Sequence, residues 1–192
     1  MFWTLPNALS ALRIVLAPVL LALAWTRHEH WFLAVLLISL VSDILDGKLA
    51  RWLNQCSEWG ARLDSWGDLA TYMTVPVCVY WLKPGFLRQE AVFFWLVVGA
   101  YVLPVAYGFV KFRTLTSYHT RGAVISAYLV GAATILIFAG GSAWLFRLAA
   151  LVLALAELEE MAITTVLPKP VTNVKDFRAA LRLARNPMDL RA

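Results

Sequence analysis

The sequence predicts an all-α integral membrane protein built as a bundle of six transmembrane helices, and three observations carry that prediction. Of its 192 residues, 61% are hydrophobic and only 15% charged, where soluble domains run at roughly 45–50% and about 25%. Six apolar runs are each long enough to cross a bilayer, at about 20 residues per crossing. Lys and Arg fall unequally on the two sets of loops that these runs define, as the positive-inside rule requires of a multi-pass chain. Nine Trp and ten Phe suit a protein with lipid-facing and interfacial aromatics.

The runs lie near residues 8–26, 31–50, 60–82, 91–111, 121–141 and 143–167. The first opens with MFWTLPNALSALRIVLAPVL, which lacks a basic start and a small-residue cleavage site, so it reads as a span and not as a signal peptide. Pro18, Pro76 and Pro104 fall inside spans and are expected to kink them, with neighbouring helices absorbing the freed backbone groups. Gly140, Gly141 and Ser142 alone separate the last two spans, which predicts a tight hairpin. The last span carries Glu157, Glu159 and Glu160 one to two turns from its end. Intramembrane acids are functional candidates, and Glu157 and Glu160, sharing a face, are expected either to pair with Arg113 or Arg121 or to reach into a water-filled cleft. Residues 1–168 form the six-span domain and 169–192 a basic cytoplasmic tail. In that tail Phe177, Leu181 and Ala184 share a helical face, which suits either a solvated tail or an interfacial helix on anionic lipid.

Six spans place both termini on one side, together with the loops after spans 2 and 4. That side collects thirteen basic residues: Arg13, Lys48, Arg51, Arg62, Lys111, Arg113, Arg121, Lys169, Lys175, Arg178, Arg182, Arg185 and Arg191. The other side holds Arg27, Lys83, Arg88 and Arg147. The first side is therefore cytoplasmic. The net charge of +5 is read as topology and lipid-headgroup contact, not as a nucleic-acid footprint. Cys56 and Cys78 show no disulfide or zinc spacing and are ordinary small residues.

The charged exception to this composition is a stretch with four aspartates, SDILDGKLARWLNQCSEWGARLDSWGDLA, residues 42–70. Asp43 and Asp46 are three apart and Asp64 and Asp68 four apart, so each pair shares a helix face. The short connection between spans 2 and 3 sets the two helices antiparallel and side by side, where the pairs converge. A lone carboxylate inside a membrane costs about 3 kcal/mol on insertion scales, and four together repel one another. Divalent cations relieve both problems, and oxygen-only donors suit Mg²⁺, Mn²⁺ or Ca²⁺ rather than zinc. Two metal ions near one another would suit phosphoryl transfer.

Other readings compete: a structural ion-pair cluster with Lys48, Arg51 and Arg62, or the ion or substrate site of a membrane transporter, though no repeat or broken helix is visible. The EF-hand spacing is absent. Gly47 and Gly60 strip side chains from places where something must approach the backbone. Arg51, one turn past Gly47, is a fixed cation suited to a phosphate or pyrophosphate. Together these residues read as a nucleotide diphosphate site.

The pattern Asp43-x2-Asp46-Gly47-x2-Ala50-Arg51-x8-Gly60-x3-Asp64-x3-Asp68 resembles the full signature of the CDP-alcohol phosphatidyltransferase family, and the segment LPNALSALRI resembles the N-terminal part of phosphatidylglycerophosphate synthases. The resemblance implies a homodimeric, six-helix membrane enzyme with the CDP-alcohol phosphotransferase bundle, active on the cytoplasmic side. Such an enzyme transfers the phosphatidyl group of CDP-diacylglycerol to a small soluble alcohol and releases CMP. It implies two divalent ions, Mg²⁺ or Mn²⁺, on Asp43, Asp46, Asp64 and Asp68, with Asp68 also the general base. It further implies a cytidine diphosphate pocket lined by Asn7, Gly47, Ala50, Arg51, Ser57 and Gly60.

For the acceptor, family members that use a phosphorylated alcohol carry basic residues in the loop after span 4, here Lys111, Arg113 and Arg121; plain topology accounts for them equally. His119 reads as a loop residue. These cations point to glycerol 3-phosphate. Ser65, where phosphatidylglycerophosphate synthases have Pro, points instead to serine or inositol phosphate. Membrane prenyltransferases also use aspartates and a diphosphate, but their motifs are absent.

Overall fold

The computed structural model describes residues 4–114, 118, 120–171 and 174–185; His119 and Arg191 lie outside them. All regular structure among the described residues is helical, and the chain divides into two compact units, Met1–Gln89 and Glu90–Ala192.

The first unit contains α1 (Leu5–Trp25), α2 (Glu29–Trp52), α3 (Glu58–Leu82) and the short α4 (Pro84–Gln89). Thr4 caps α1, its hydroxyl accepting from the Asn7 amide at 3.4 Å, and Pro6 sits in the first turn, where its missing N–H is not needed. The buried stripe of α1 is Pro6, Asn7, Ser10, Arg13, Ala17, Leu20 and Ala24. Its spacing of three and four marks a single face, and Ser10, Ala17 and Ala24 along it are small. Small side chains let helix backbones approach closely in apolar surroundings, and α1 uses this face to pack on both α2 and α3.

This corrects the expected pairing. α2 and α3 touch each other only sparsely, and α1 packs against both of them. The connection that joins α2 to α3 is short, but α2 stops at Trp52, Asn54 takes a left-handed conformation (φ 53°), and Ser57 restarts the chain as N-cap of α3. Closeness along the chain did not translate into packing, because α1 supplies the narrower face.

Toward the other end of this unit, Trp25 and Trp81 meet edge to face at 5.2 Å and Lys83 pairs with Glu29. Both cysteines are free; Cys78 is buried and its thiol donates to the Leu20 carbonyl at 3.6 Å.

The second unit contains α5 (Ala91–Phe112), α6 (Arg121–Phe138), α7 (Trp144–Val166) and α8 (Phe177–Arg185). α7 packs against α5, α6 and α8. At Gly122 an added Cβ would lie 3.2 Å from the Ala156 Cβ, so this glycine lets α6 and α7 close up. The expected hairpin is present: Gly140 adopts φ +77°, open to glycine at no steric cost, and a Cβ on Gly141 would fall 2.4 Å from the Leu136 side chain. Glu90 sits before α5 and accepts two bonds from Arg147, at 2.8 Å from Nε and 2.6 Å from Nη2.

The basic tail folds back onto α7. Asp176 accepts from the Ala179 amide at 2.7 Å and Glu159 from the Phe177 amide at 2.9 Å, so two carboxylates hold the positive end of α8. Val174 and Ala180 join Tyr118, Ile163 and Leu167 in a buried cluster, with Phe177 and Leu183 packed on it.

The six expected spans each coincide with one long helix, of 21, 24, 25, 22, 18 and 23 residues. Among the described residues, α1, α5 and α6 are long and apolar enough to cross a membrane. α2, α3 and α7 match them in length but carry the aspartates and glutamates.

Candidate metal and diphosphate site

The four aspartates meet in the first unit. Helical spacing puts Asp43 and Asp46 on one face of α2 and Asp64 and Asp68 on one face of α3, and α1 packs against both helices. One oxygen from each of Asp43, Asp64 and Asp68 lies within 4.8 Å of the other two. Oxygens that share one hard cation at about 2.0–2.6 Å each are at most about 5 Å apart, so these three fit a single ion. Asp46 is the most buried of the four and accepts from the Ser10 hydroxyl at 2.8 Å.

A cation from α1 stands in their midst. Arg13, 1% exposed, donates from Nη2 to Asp46 at 2.7 Å and to Asp64 at 2.5 Å. Its Nη1 donates to Asp68 at 2.5 Å and also to Asp43. One guanidinium faces four carboxylates, so acids outnumber the cation in a half-buried cluster, which favours further positive charge. The donor set is oxygen only, the oxygens are spaced for one ion, and the cradle already accepts a cation. A divalent metal therefore fits the residues present.

The positions around this centre sort themselves by contact. Asn7, Ser57 and Gly60 come together: the Ser57 hydroxyl accepts from the Gly60 amide at 3.0 Å, and a Cβ on Gly60 would lie 2.7 Å from Asn7 Oδ1. Gly60 thus lets α1 and α3 approach closely. Arg51 lies back over Gly47, its Nη2 3.9 Å from where a Cβ would be. Ala50 is half-buried on the same helix. Ser65 turns its hydroxyl onto the Ala61 carbonyl of its own helix at 3.0 Å.

Lys111, Arg113 and Arg121 belong to the second unit. The Lys111 ammonium donates to the carbonyls of Thr164 (2.7 Å), Thr165 (2.9 Å) and Leu167 (3.0 Å), closing the C-terminal end of α7. Arg113, in a left-handed conformation at the end of α5, and Arg121, opening α6, are exposed. Of the α7 acids, Glu160 accepts from the Thr120 amide and hydroxyl at 3.4 Å each and Glu159 from α8, while half-buried Glu157 has no hydrogen-bond partner among the described residues.

Sequence reasoning missed Arg13, Ser10 and Gly67 as site residues. A Cβ on Gly67 would sit 3.2 Å from Arg13 Cζ and 3.2 Å from the Ser10 carbonyl, so Gly67 provides the slot for the guanidinium. The signal was present: an arginine inside an apolar run lies on the same face as Asn7, Ser10 and Ala17 and within the segment LPNALSALRI that carries the family resemblance.

Comparison with known proteins bears on the same residues. A Mycobacterium bovis relative whose name includes cardiolipin synthase is 44% identical over 75 residues, 38% of this chain and 36% of its own. A rat protein named cardiolipin synthase (CMP-forming) is 34% identical over 119 residues, 62% of this chain and 38% of its own. A Cereibacter sphaeroides protein named CDP-diacylglycerol–glycerol-3-phosphate 3-phosphatidyltransferase is 34% identical over 83 residues, 41% of this chain and 38% of its own. The matched part of this chain therefore spans well under half the length of these relatives. No solved structure matches it. The family model for CDP-alcohol phosphatidyltransferases matches residues 3–166, which takes in all four aspartates, Arg13 and both glycines of the signature, and the chain belongs to the CDP-alcohol phosphatidyltransferase family.

Proposed function

We propose that this protein is a six-span membrane enzyme that transfers the phosphatidyl group of CDP-diacylglycerol to an alcohol, glycerol 3-phosphate, and releases CMP. The observation that carries this reading is the convergence of Asp43, Asp46, Asp64 and Asp68 on one cation-holding centre beside Asn7, Ser57 and Gly60. Six long helices and the 13-to-4 split of basic residues support a multi-pass topology with the termini and the site on the cytoplasmic side. The family supports a homodimer.

Divalent ions, Mg²⁺ or Mn²⁺, held by Asp43, Asp46, Asp64 and Asp68, would neutralise the diphosphate and polarise the phosphorus under attack. The chain's own residues do the rest. Asn7, Ala50, Ser57 and Gly60 bound the nucleotide side, Gly47 leaves the backbone bare, and Arg51 meets a phosphate oxygen. Asp68 accepts the proton of the acceptor hydroxyl as its oxygen bonds to the phosphorus that carries the diacylglycerol. The bond from that phosphorus to the CMP oxygen breaks, and CMP leaves with the electron pair. Oδ1 of Asp68 faces the cation of the cradle, Arg13 in this structure, which leaves Oδ2 for the hydroxyl. Arg113 and Arg121 are the cations offered to an acceptor phosphate; Lys111 is committed to the end of α7.

The relatives named for cardiolipin synthesis favour a second reading of the acceptor. Cardiolipin carries two phosphatidyl groups on one glycerol, so its synthesis from CDP-diacylglycerol needs a lipid alcohol that already bears one. One assay decides between these: CMP release from CDP-diacylglycerol by purified protein with Mg²⁺ or Mn²⁺, offered glycerol 3-phosphate, serine, inositol phosphate and phosphatidylglycerol in turn. CMP with glycerol 3-phosphate supports the first reading, and CMP with phosphatidylglycerol alone supports the second. No CMP with any acceptor refutes both and returns the transporter reading.

A further inference from the structure

Arg13 is an unusual neighbour for a metal site. It comes from the middle of apolar α1, is 1% exposed, and contacts all four aspartates through its two terminal nitrogens. The oxygens it binds on Asp43, Asp64 and Asp68 come from the three residues that fit one divalent ion. A carboxylate oxygen that accepts a guanidinium N–H at 2.5 Å directs its lone pair at the guanidinium. An ion held by the same carboxylates would stand within a few Å of the guanidinium, so two like charges compete for them.

The fold is shaped for this cation. A Cβ on Gly67 would crowd Arg13 Cζ and the Ser10 carbonyl at 3.2 Å each, so the glycine leaves a slot for the guanidinium. A cavity of about 20 Å³, room for one water, adjoins the cluster and is lined by Arg13, Ser39, Asp43, Asp68, Thr71 and Tyr72. Two buried polar atoms lack partners among the described residues, Arg13 Nε and the Ser39 hydroxyl, and both belong to residues at this cavity. One water there would stand beside Arg13 and Ser39, the two residues with an unpartnered polar atom, so the guanidinium is not held on every side by protein groups.

We propose that Arg13 is the resident cation of the aspartate cradle: it holds the four carboxylates together when no divalent ion is bound, yields their oxygens when one enters, and so sets the affinity for metal. The inference rests on reading the cluster as a divalent-ion site. Arg13 is thus a positioning residue, acting through the aspartates. Without it the apo cradle loses its resident cation, and the ion meets no guanidinium in competition.

The test is Mn²⁺ binding to the purified full chain in detergent, followed by the electron spin resonance of free Mn²⁺, together with thermal unfolding in EDTA and in Mn²⁺. Wild type, Arg13→Gln and Arg13→Lys are compared. Arg13→Gln is expected to bind Mn²⁺ at least about tenfold more tightly than wild type, since a like charge at contact distance is removed. Arg13→Lys, whose single nitrogen reaches fewer carboxylates, falls between. The gain in melting temperature on adding Mn²⁺ is larger in Arg13→Gln than in wild type, and if Arg13→Gln folds only with Mn²⁺ present, the holding role is supported directly. Wild type that binds Mn²⁺ while both variants bind it no more tightly overturns this inference alone. Absence of Mn²⁺ binding in all three overturns it together with the metal site itself.

Discussion

Gly60 lies in the signature, and a glycine there serves either the ligand or the packing of α1 on α3. The Gly60→Ala substitution separates the two. The new Cβ would stand 2.7 Å from Asn7 Oδ1 and 3.1 Å from Ser57 Oγ. The first distance is closer than side-chain carbons ever approach an oxygen, and Asn7, 5% exposed, has no open space to retreat into. Overpacking of this kind costs about 1–3 kcal/mol, and crowding the Ser57 cap adds about 1 kcal/mol. The greater helix propensity of alanine returns about 1 kcal/mol. The net expectation is a loss of about 1–3 kcal/mol. In an Asn7→Ala background the first clash is gone, and Gly60→Ala there costs at most about 1 kcal/mol. A coupling of about 1–2 kcal/mol follows. Thermal unfolding of the four proteins measures it, with CMP release measured alongside. Additive effects within about 0.5 kcal/mol would refute the steric account. Should stability recover in the double variant while its CMP release falls below that of Asn7→Ala alone, the glycine also serves the nucleotide.

Lys111→Met removes three charge-assisted bonds to the end of α7 and is expected to lower stability by about 1–3 kcal/mol with the acceptor KM unchanged; a raised KM at unchanged melting temperature would return Lys111 to the acceptor site. Asp68→Asn is expected to abolish CMP release. Because it relieves repulsion in a cluster of excess negative charge, its melting temperature in EDTA should be no lower than wild type; retained turnover would remove Asp68 as the base. Arg147 holds the Glu90 carboxyl below its ordinary value of 4.5. A depressed folded value contributes stability that is complete above the unfolded value and lost as pH falls through the folded one. Glu90→Gln should therefore melt below wild type near neutral pH, with the gap closing below about pH 4; a gap independent of pH would exclude the ion pair as its cause.

The helices were legible because their signals are local. Apolar runs, proline positions and the glycine pair at 140 and 141 act within a few residues of themselves, and each long helix follows the run that predicted it. The aspartate faces were legible for the same reason, since spacings of three and four fix a face without any knowledge of the partner. The partner of those faces was not legible. A short link between two helices suggests that they pack together, yet the smaller face of α1 takes precedence, because close packing depends on side-chain size and not on distance along the chain.

The sequence by itself determined that four carboxylates must share a site in an apolar chain, and the eight signature positions determined the family. Only the tertiary structure decided which cation stands among them. Lys48, Arg51 and Arg62 are nearest in the chain, but Arg13 is brought in by a third helix, α1, into a slot at Gly67 of α3 that no local pattern reveals. It likewise decided that Lys111 closes the end of α7, a role set by which carbonyls its ammonium reaches in space. Charge and spacing are properties of the chain, whereas the choice of counter-charge is a property of packing, because an ion pair forms with whatever the fold places within about 3 Å.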